Sequence, residues 1–310
     1  MKATRDGFGE QLIVSGRDNE DVIVLSADLS KATRIDKFAD TYPDRFFEIG
    51  IAENNMIGIA SGLSEYGYKV FLASFASFLT GKYDAIRCSL AYSKAPCILV
   101  GTHSGLAIGR DGVTQMGLED ISLMRSLPNM VVLNPSTYNE TVSVVKYLTE
   151  NDLETPHYLR LARQPVEEIF EEDYDFVFGK GQVLSHGTDV AIFSTGCVLP
   201  DVINAADEIR SKNLSVAVIN ITTLKPIDRD VILKYSHLCD NIFTVEDHSI
   251  VGGLGSAIAE VLAESGNSCK LTRIGVNDVF PESGLPSDLY EKYGLSKEQI
   301  KQRVINELDK

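Results

Sequence analysis

In RFFEIGIAENNMIGIASGL, residues 45–63, Glu53 stands between a strand-like run and a helix of small residues, with no cation beside it. That junction is where a parallel α/β sheet places its ligands, at the carboxyl ends of its strands. Asn54, Asn55, Gly58, Ala60, Ser61 and Gly62 keep the helix thin, so a ligand or another backbone can come close. A first-turn glutamate also suits the positive end of a helix dipole. The segment by itself leaves both readings open.

A second stretch, THSGLAIGRDGVTQMGLEDISLMRSLPNM over residues 102–130, follows an apolar strand-like run. It carries His103, Ser104, Arg110, Asp111, Thr114 and Gln115 among glycines before a helix that begins near Leu118. Long polar loops at strand ends are usually functional. His103 beside Ser104 and Asp111 is a candidate for acid/base work or for hydrogen bonding. Arg160 and Arg163 in RLARQP, with Arg5 in KATR, would hold a phosphate if the three converge. VGGLGSAIAE, residues 251–260, looks like a dinucleotide fingerprint but lacks the acidic residue that should end a later strand. It reads instead as a glycine-rich helix start packed closely on a neighbour.

These groups need a scaffold, and the rest of the chain supplies its pattern. DVIVLSAD, RFFEIG, KVFLASF, PCILVGTH, NMVVLNPS and PHYLRLAR are short apolar runs of the kind buried on both faces of a parallel sheet. Helical segments alternate with them: FLTGKYDAIRCSLAYS is near a helical period, and Thr137 with Glu140 forms a capping box. The acidic stretch 164–187 breaks the alternation and reads as an interdomain connection. DVAIFSTG, SVAVINITTL, NIFTVED and KLTRIGV resume it, with a helix near residues 199–212 and a last helix capped by Ser296 and Gln299. Two α/β domains split near residue 180 follow.

Composition bounds the partners. The 310 residues carry a net charge of −15, which disfavours nucleic acid and anionic membranes. No apolar run is long enough to span a bilayer, and MKATRDGFGE lacks the apolar core of a secretory leader, so a cytoplasmic protein is expected. Cys88, Cys97, Cys197, Cys239 and Cys269 are scattered, which suits buried thiols better than disulfides or zinc.

The sequence resembles the C-terminal half of transketolase, in the form found as a separate subunit. The resemblance rests on ATR, SADLS, FFEIGIAENNMIGIASGL, SFASFL, GTHSGLAIGRDGVTQMGLEDISLMRSLPNMVVLNPS, RLARQP, VEDHSIVGGLGSAI and RIGVNDVFPESG, in that order. It implies two doubly wound α/β domains: a pyrimidine-binding domain over 1–165, a linker over 166–187 and a C-terminal domain over 188–310 that supports self-association. It implies thiamine diphosphate as cofactor. The glutamate matching Glu53 would bond a ring nitrogen of the aminopyrimidine and favour its imino tautomer, which deprotonates the thiazolium carbon. Phe75 and Phe78 match rings that line the pyrimidine, and Asp28 an aspartate near the cofactor. His103 matches a histidine on donor hydroxyls, Asp111 an aspartate on the next hydroxyl, and Arg5 and Arg163 arginines on the sugar phosphate.

Three departures qualify the match. Thr114 is followed by Gln115 where the family usually has histidine, and an amide cannot act as a protonated acid. Arg110 precedes Asp111 where an acidic or neutral residue is usual. Both point to an unusual ketose or a specialised sugar pathway. The GDG motif that binds Mg²⁺ or Ca²⁺ and the diphosphate is missing, so this chain supplies no metal ligands. An N-terminal partner subunit would bring that half of the site, in a two-plus-two heterotetramer. The competing readings are a decarboxylating synthase using pyruvate, a 2-oxo acid dehydrogenase β component, and a non-catalytic regulatory paralogue. His103, Asp111 and Arg163 favour sugar phosphates over pyruvate.

Overall fold

The computed structural model describes residues 1–309. Among the described residues the twelve strands are β1 (Val22–Ser26), β2 (Phe46–Glu48), β3 (Lys69–Phe75), β4 (Ile98–Thr102), β5 (Val131–Leu133), β6 (His157–Arg160), β7 (Gln182–Ser185), β8 (Val190–Thr195), β9 (Val216–Asn220), β10 (Thr223–Lys225), β11 (Asn241–Ser249) and β12 (Lys270–Val276). They form a seven-stranded sheet ordered β10-β5-β6-β4-β3-β1-β2 and a five-stranded sheet ordered β12-β11-β8-β9-β7. Every pairing is parallel except β10 on β5 and β7 on β9.

β1, β4, β6, β8 and β9 are buried at every position, as expected of strands covered on both faces. One apolar cluster, with Phe8, Leu12, Phe71, Val100 and Val144, packs on one face of the first sheet. Another, with Ile23, Leu25, Met56, Ile57 and Leu99, lies on the opposite face and continues into Phe193, Ile219 and Ile258 of the second unit. The helix Glu53–Glu65 turns Met56, Ile57 and Ala60 inward and leaves Asn54, Asn55, Gly58 and Gly62 on its open side.

Four local expectations change. β7 lies within the stretch read as a connection and already belongs to the second sheet, paired with β9. β10, absent from the sequence reading as a separate strand, crosses to the first sheet and pairs with β5. FLTGKYDAIRCSLAYS is not one helix: it divides into Ala76–Thr80, Tyr83–Ala85 and a wide turn of helix over Ile86–Tyr92. Glu140 does not close a capping box on Thr137, whose hydroxyl is buried and unpaired. Its carboxylate accepts instead from Ser136 N at 2.5 Å, from Asn220 Nδ2 at 2.7 Å and from the Thr222 hydroxyl, tying the two sheets together. At the last helix Ser296 Oγ does accept from Gln299 N at 3.3 Å, while the Gln299 amide turns to Glu291.

The glycines of VGGLGS serve close packing. A side chain at Gly253 would lie 1.9 Å from Glu246 Oε2, and that carboxylate caps the helix Leu254–Ser265 through Leu254 N at 2.7 Å and Gly255 N at 2.8 Å. The close-packing reading of this run fits the structure.

Candidate functional site

β3 and β4 run side by side with Phe75 opposite Thr102. Their carboxyl ends therefore deliver Phe75 and the next residue, His103, to one place. The two rings stack with centroids 3.8 Å apart, and Phe78 stacks on Phe75 at 5.1 Å. His103 is in the left-handed region, at φ 56°, which turns its ring back over the sheet edge.

The hydrogen-bond partners of His103 fix its tautomer. Arg5 can only donate, so its contact at 2.9 Å makes Nε2 the acceptor. Nδ1 then carries the proton and donates to Thr102 Oγ1 at 2.9 Å. Thr102 Oγ1 donates on to Ser74 O at 3.3 Å, and Ser74 Oγ donates to Glu53 Oε1 at 3.3 Å. One residue, Ser74, thus joins the histidine to the carboxylate across the end of β3. Glu53 is buried, only 7% exposed, and the side-chain bond it receives is that from Ser74.

Burial, reinforced by the nearby charges of Arg5, Arg163 and Arg34, pushes the His103 pKa down to about 3. The imidazole is therefore neutral across the physiological range. Burial likewise lowers Arg5, to about 10, with Arg34 and Arg163 adding to the effect and Asp6 opposing it. Arg5 sits in the first turn of the helix Thr4–Asp18, where the dipole disfavours a cation. Its Nη1 also donates to Ala32 O at 2.9 Å, and its Nε is buried without a partner.

The cations that gather here are Arg5, Arg34 and Arg163, which differs from the expected trio. Arg160 is fully buried elsewhere: it pairs with Asp120 at 2.8 Å and donates to Gly117 O and Asp247 O. Arg34 was missed from sequence. Its signal was indirect, because Gly9 leaves no room for a Cβ, which would lie 2.2 Å from Arg34 O. Arg34 is itself held by Asp6 at 2.7 Å. Arg163 and Asp111 pair with each other at 2.9 Å, both partly exposed.

The remaining expected residues are also placed. The Ser104 hydroxyl, next to His103, donates to Leu161 O at 2.9 Å. The backbone carbonyl of Gln115 accepts from Ser77 Oγ at 3.1 Å. Asp28 is exposed after β1 at φ 60°, and its backbone N–H donates to Glu48 Oε1 at 2.6 Å. Glu48, a second residue missed from sequence, also accepts from Gly50 N at 3.0 Å and so shapes the turn that leads into Glu53.

The loop carrying Asp111 and Gln115 is docked on the second sheet unit. Leu106, Ile108, Met116 and Leu118 belong to the same apolar cluster as Val190, Ile192, Phe243 and Leu289. Burying Leu106 and Ile108 is worth about 1.5–3 kcal/mol each. A pocket beside this loop is lined by Ile108, Arg110, Asp111, Arg163, Leu285 and Pro286, so both units contribute walls. Among the described residues no group of three or more His, Cys, Asp or Glu side chains is arranged to hold a metal ion. Among the described residues, too, no helix is long and apolar enough to cross a membrane.

Two α/β units are thus joined in one chain, and the first gathers a buried carboxylate, a stacked aromatic pair and a histidine at one sheet edge. The sequence matches the family models described as Transketolase, pyrimidine binding domain, over residues 1–168 and Transketolase, C-terminal domain, over residues 179–300. It is 42% identical over 312 residues to a protein of Methanocaldococcus jannaschii described as a transketolase C-terminal section, covering 100% of this chain and 97% of that one. It is 34% identical over 297 residues to a 6-deoxy-6-sulfo-D-fructose transketolase subunit of a Clostridium species, covering 96% and 91%. A solved chain titled split gene transketolase, inactive beta4 tetramer, superposes with a TM-score of 0.91 at 40% identity, covering 99% of this chain and 98% of that one. The chain belongs to the transketolase family and corresponds to its pyrimidine-binding and C-terminal domains. Proteins of this family use thiamine diphosphate.

Proposed function

We propose that this chain is the C-terminal subunit of a thiamine-diphosphate-dependent transketolase. With an N-terminal partner subunit it transfers a two-carbon ketol unit from a ketose with an anionic tail to an aldose. The observation that carries the reading is the link from Glu53 through Ser74 and Thr102 to His103 and Arg5 at the ends of β3 and β4.

The residues suit the pyrimidine half of the cofactor. Glu53 is a buried carboxylate with no cation on it and one long hydrogen bond, so it is free to hold a protonated ring nitrogen. Phe75 and Phe78 supply a stacked apolar wall for a flat heterocycle, and Asp28 and Glu48 line the same sheet edge. When bound, thiamine diphosphate supplies the nucleophilic carbon that adds to a ketose carbonyl. Glu53 polarises the aminopyrimidine, and the low-dielectric wall around it strengthens that bond. His103, neutral with Nε2 as acceptor, takes a hydrogen bond from a donor hydroxyl once Arg5 turns to the substrate's anionic end. In this role it orients the sugar. Asp111 and the Gln115 amide bind further hydroxyls, and Arg5, Arg34 and Arg163 hold the phosphate or sulfonate.

The partner reading is supported by the lengths and names of the relatives, which include a section, a subunit and a split-gene product of nearly the same span. The partner holds the diphosphate and its Mg²⁺ or Ca²⁺, and the active sites lie at the junction of a two-plus-two heterotetramer. This chain alone self-associates and is inactive. The cation cluster favours sugar phosphates over pyruvate, as a decarboxylating synthase or 2-oxo acid dehydrogenase component would use. The intact Glu53 site is more than a regulatory paralogue needs.

The test is reconstitution with the N-terminal subunit, thiamine diphosphate and Mg²⁺, assaying ketol transfer against pyruvate turnover. Transfer from ketose phosphates or sulfonates supports the reading. Pyruvate turnover without ketol transfer, or neither, overturns it.

A further inference from the structure

The second sheet has its own crevice of the kind that binds ligands in α/β folds. From β8 the chain moves to β9 on one side and returns to β11 on the other, so the carboxyl ends of β8 and β11 mark the switch point. Glu246 pairs with Thr195 at the last rung, and Asp247 follows it into that crevice. The loop of the first domain packs against Asp247 in that crevice. Asp247 Oδ1 accepts from Leu106 N at 2.8 Å, and Oδ2 accepts from Tyr290 Oη at 2.9 Å. The approach is so close that a Cβ on Gly105 would lie 2.1 Å from Oδ2. Asp247 is 2% exposed.

The far end of the same loop refers to the same residue. Gly105 N donates to Gly117 O at 2.9 Å, closing the loop at its base. Arg160 Nη2 donates both to that Gly117 O at 3.0 Å and to Asp247 O at 2.8 Å. The side chain of Asp247 thus holds the loop's first turn, and its backbone, through Arg160, holds the last. Asp111 and Gln115 stand between these anchors. Between the anchors, Asp111 pairs with the partly exposed Arg163, the backbone of Gln115 takes a bond from Ser77 and donates to Gly112 O at 3.1 Å, and Ile108 and Met116 pack on the second unit's core.

We propose that Asp247 is a positioning residue: from the C-terminal domain it fixes the loop 105–117 and so sets donor binding, without touching substrate or cofactor. This rests on the functional reading of Asp111 and Gln115 given above. The switch-point crevice of the second domain is used internally, for a loop in place of a ligand. Donor affinity therefore depends on the C-terminal domain while activation at Glu53 does not.

The experiment compares Asp247→Ala with Asp247→Asn, which keeps an acceptor for Leu106 N–H. Amide hydrogen exchange is read in the full chain, and donor KM and kcat in the complex with its partner subunit. Asp247→Ala is expected to speed exchange across 105–117 at least tenfold and to raise donor KM at least tenfold, with kcat within threefold. Asp247→Asn is expected to return both within threefold of the parent. Should Asp247→Ala fail to fold, Tyr290→Phe removes one bond to Oδ2, and at least a threefold change in the same two readouts is expected. Unchanged exchange, or kcat falling in step with a rise in KM, overturns the proposal. Loosened exchange in a protein that transfers no ketol unit sinks the functional reading and leaves the clamp standing.

Discussion

Arg5 Nη1 lies 2.9 Å from His103 Nε2, a cation donating to a buried histidine at the mouth of the site. The contact is possible only because the imidazole is neutral with its proton on Nδ1, and it keeps the ring neutral in return. Displacing Arg5 toward a substrate anion frees the same lone pair for a sugar hydroxyl. Anion binding and hydroxyl recognition are thereby coupled through one hydrogen bond.

The His103 pKa, pushed down to about 3 by burial first and then by Arg5, Arg163 and Arg34, gives the first prediction. A depressed pKa means the neutral form persists as pH falls, so ¹⁵N NMR should show His103 as the Nδ1–H tautomer from pH 8 to pH 5 with no titration. Arg5→Met removes a neighbouring positive charge and should raise the pKa toward its ordinary value, stopping short of it because burial remains. His103 itself titrating near 6.5 in the parent protein would refute the tautomer assignment.

Arg163 pairs with Asp111 at 2.9 Å with side-chain exposures of 45% and 39%, so the pair adds about 0–1 kcal/mol to stability. Arg163→Met should leave the denaturant midpoint nearly unchanged. In the reconstituted enzyme it should raise the KM for an anionic donor about tenfold or more, through loss of a charge-assisted bond. A stability loss with unaltered KM would assign Arg163 a structural role instead.

Arg160 differs from Arg163 although the two lie close together in RLARQP. It is 2% exposed against an Asp120 that is fully buried. Arg160→Met removes the charge partner of that carboxylate, which keeps a bond from the Tyr158 hydroxyl, and removes a donor from Gly117 O; it should cost about 3–5 kcal/mol in urea unfolding. A loss below about 1 kcal/mol, as for a solvent-exposed pair, would contradict the buried-pair description.

Much of this was legible in the sequence because local rules govern strand ends. The buried runs ending at Phe75 and Thr102 mark the sheet edge, and the motif around Glu53 marks the helix that begins there. What the sequence did not disclose depends on contacts distant along the chain. Arg160 reads like Arg163 until its partners, Asp120 and Asp247, are placed around it. Arg34 carries no local pattern and enters only because Gly9 admits its backbone. β7 is an edge strand with every residue half-buried, so its apolar signal is weak. Glu140 has capping-box spacing, but its carboxylate is drawn to Asn220 and Thr222 of another domain. The docking of Leu106 and Ile108 in the second unit's core is likewise a tertiary fact, though the apolar residues of GLAIG hinted that this loop is not wholly solvated.

The most direct test of the account is ketol transfer by Glu53→Ala in the enzyme reconstituted with its N-terminal subunit, at saturating thiamine diphosphate and Mg²⁺. Loss of the carboxylate that polarises the aminopyrimidine should lower kcat by about 10²-fold or more, while the variant folds and assembles as the parent does. A Glu53→Ala enzyme as active as the parent would contradict the account.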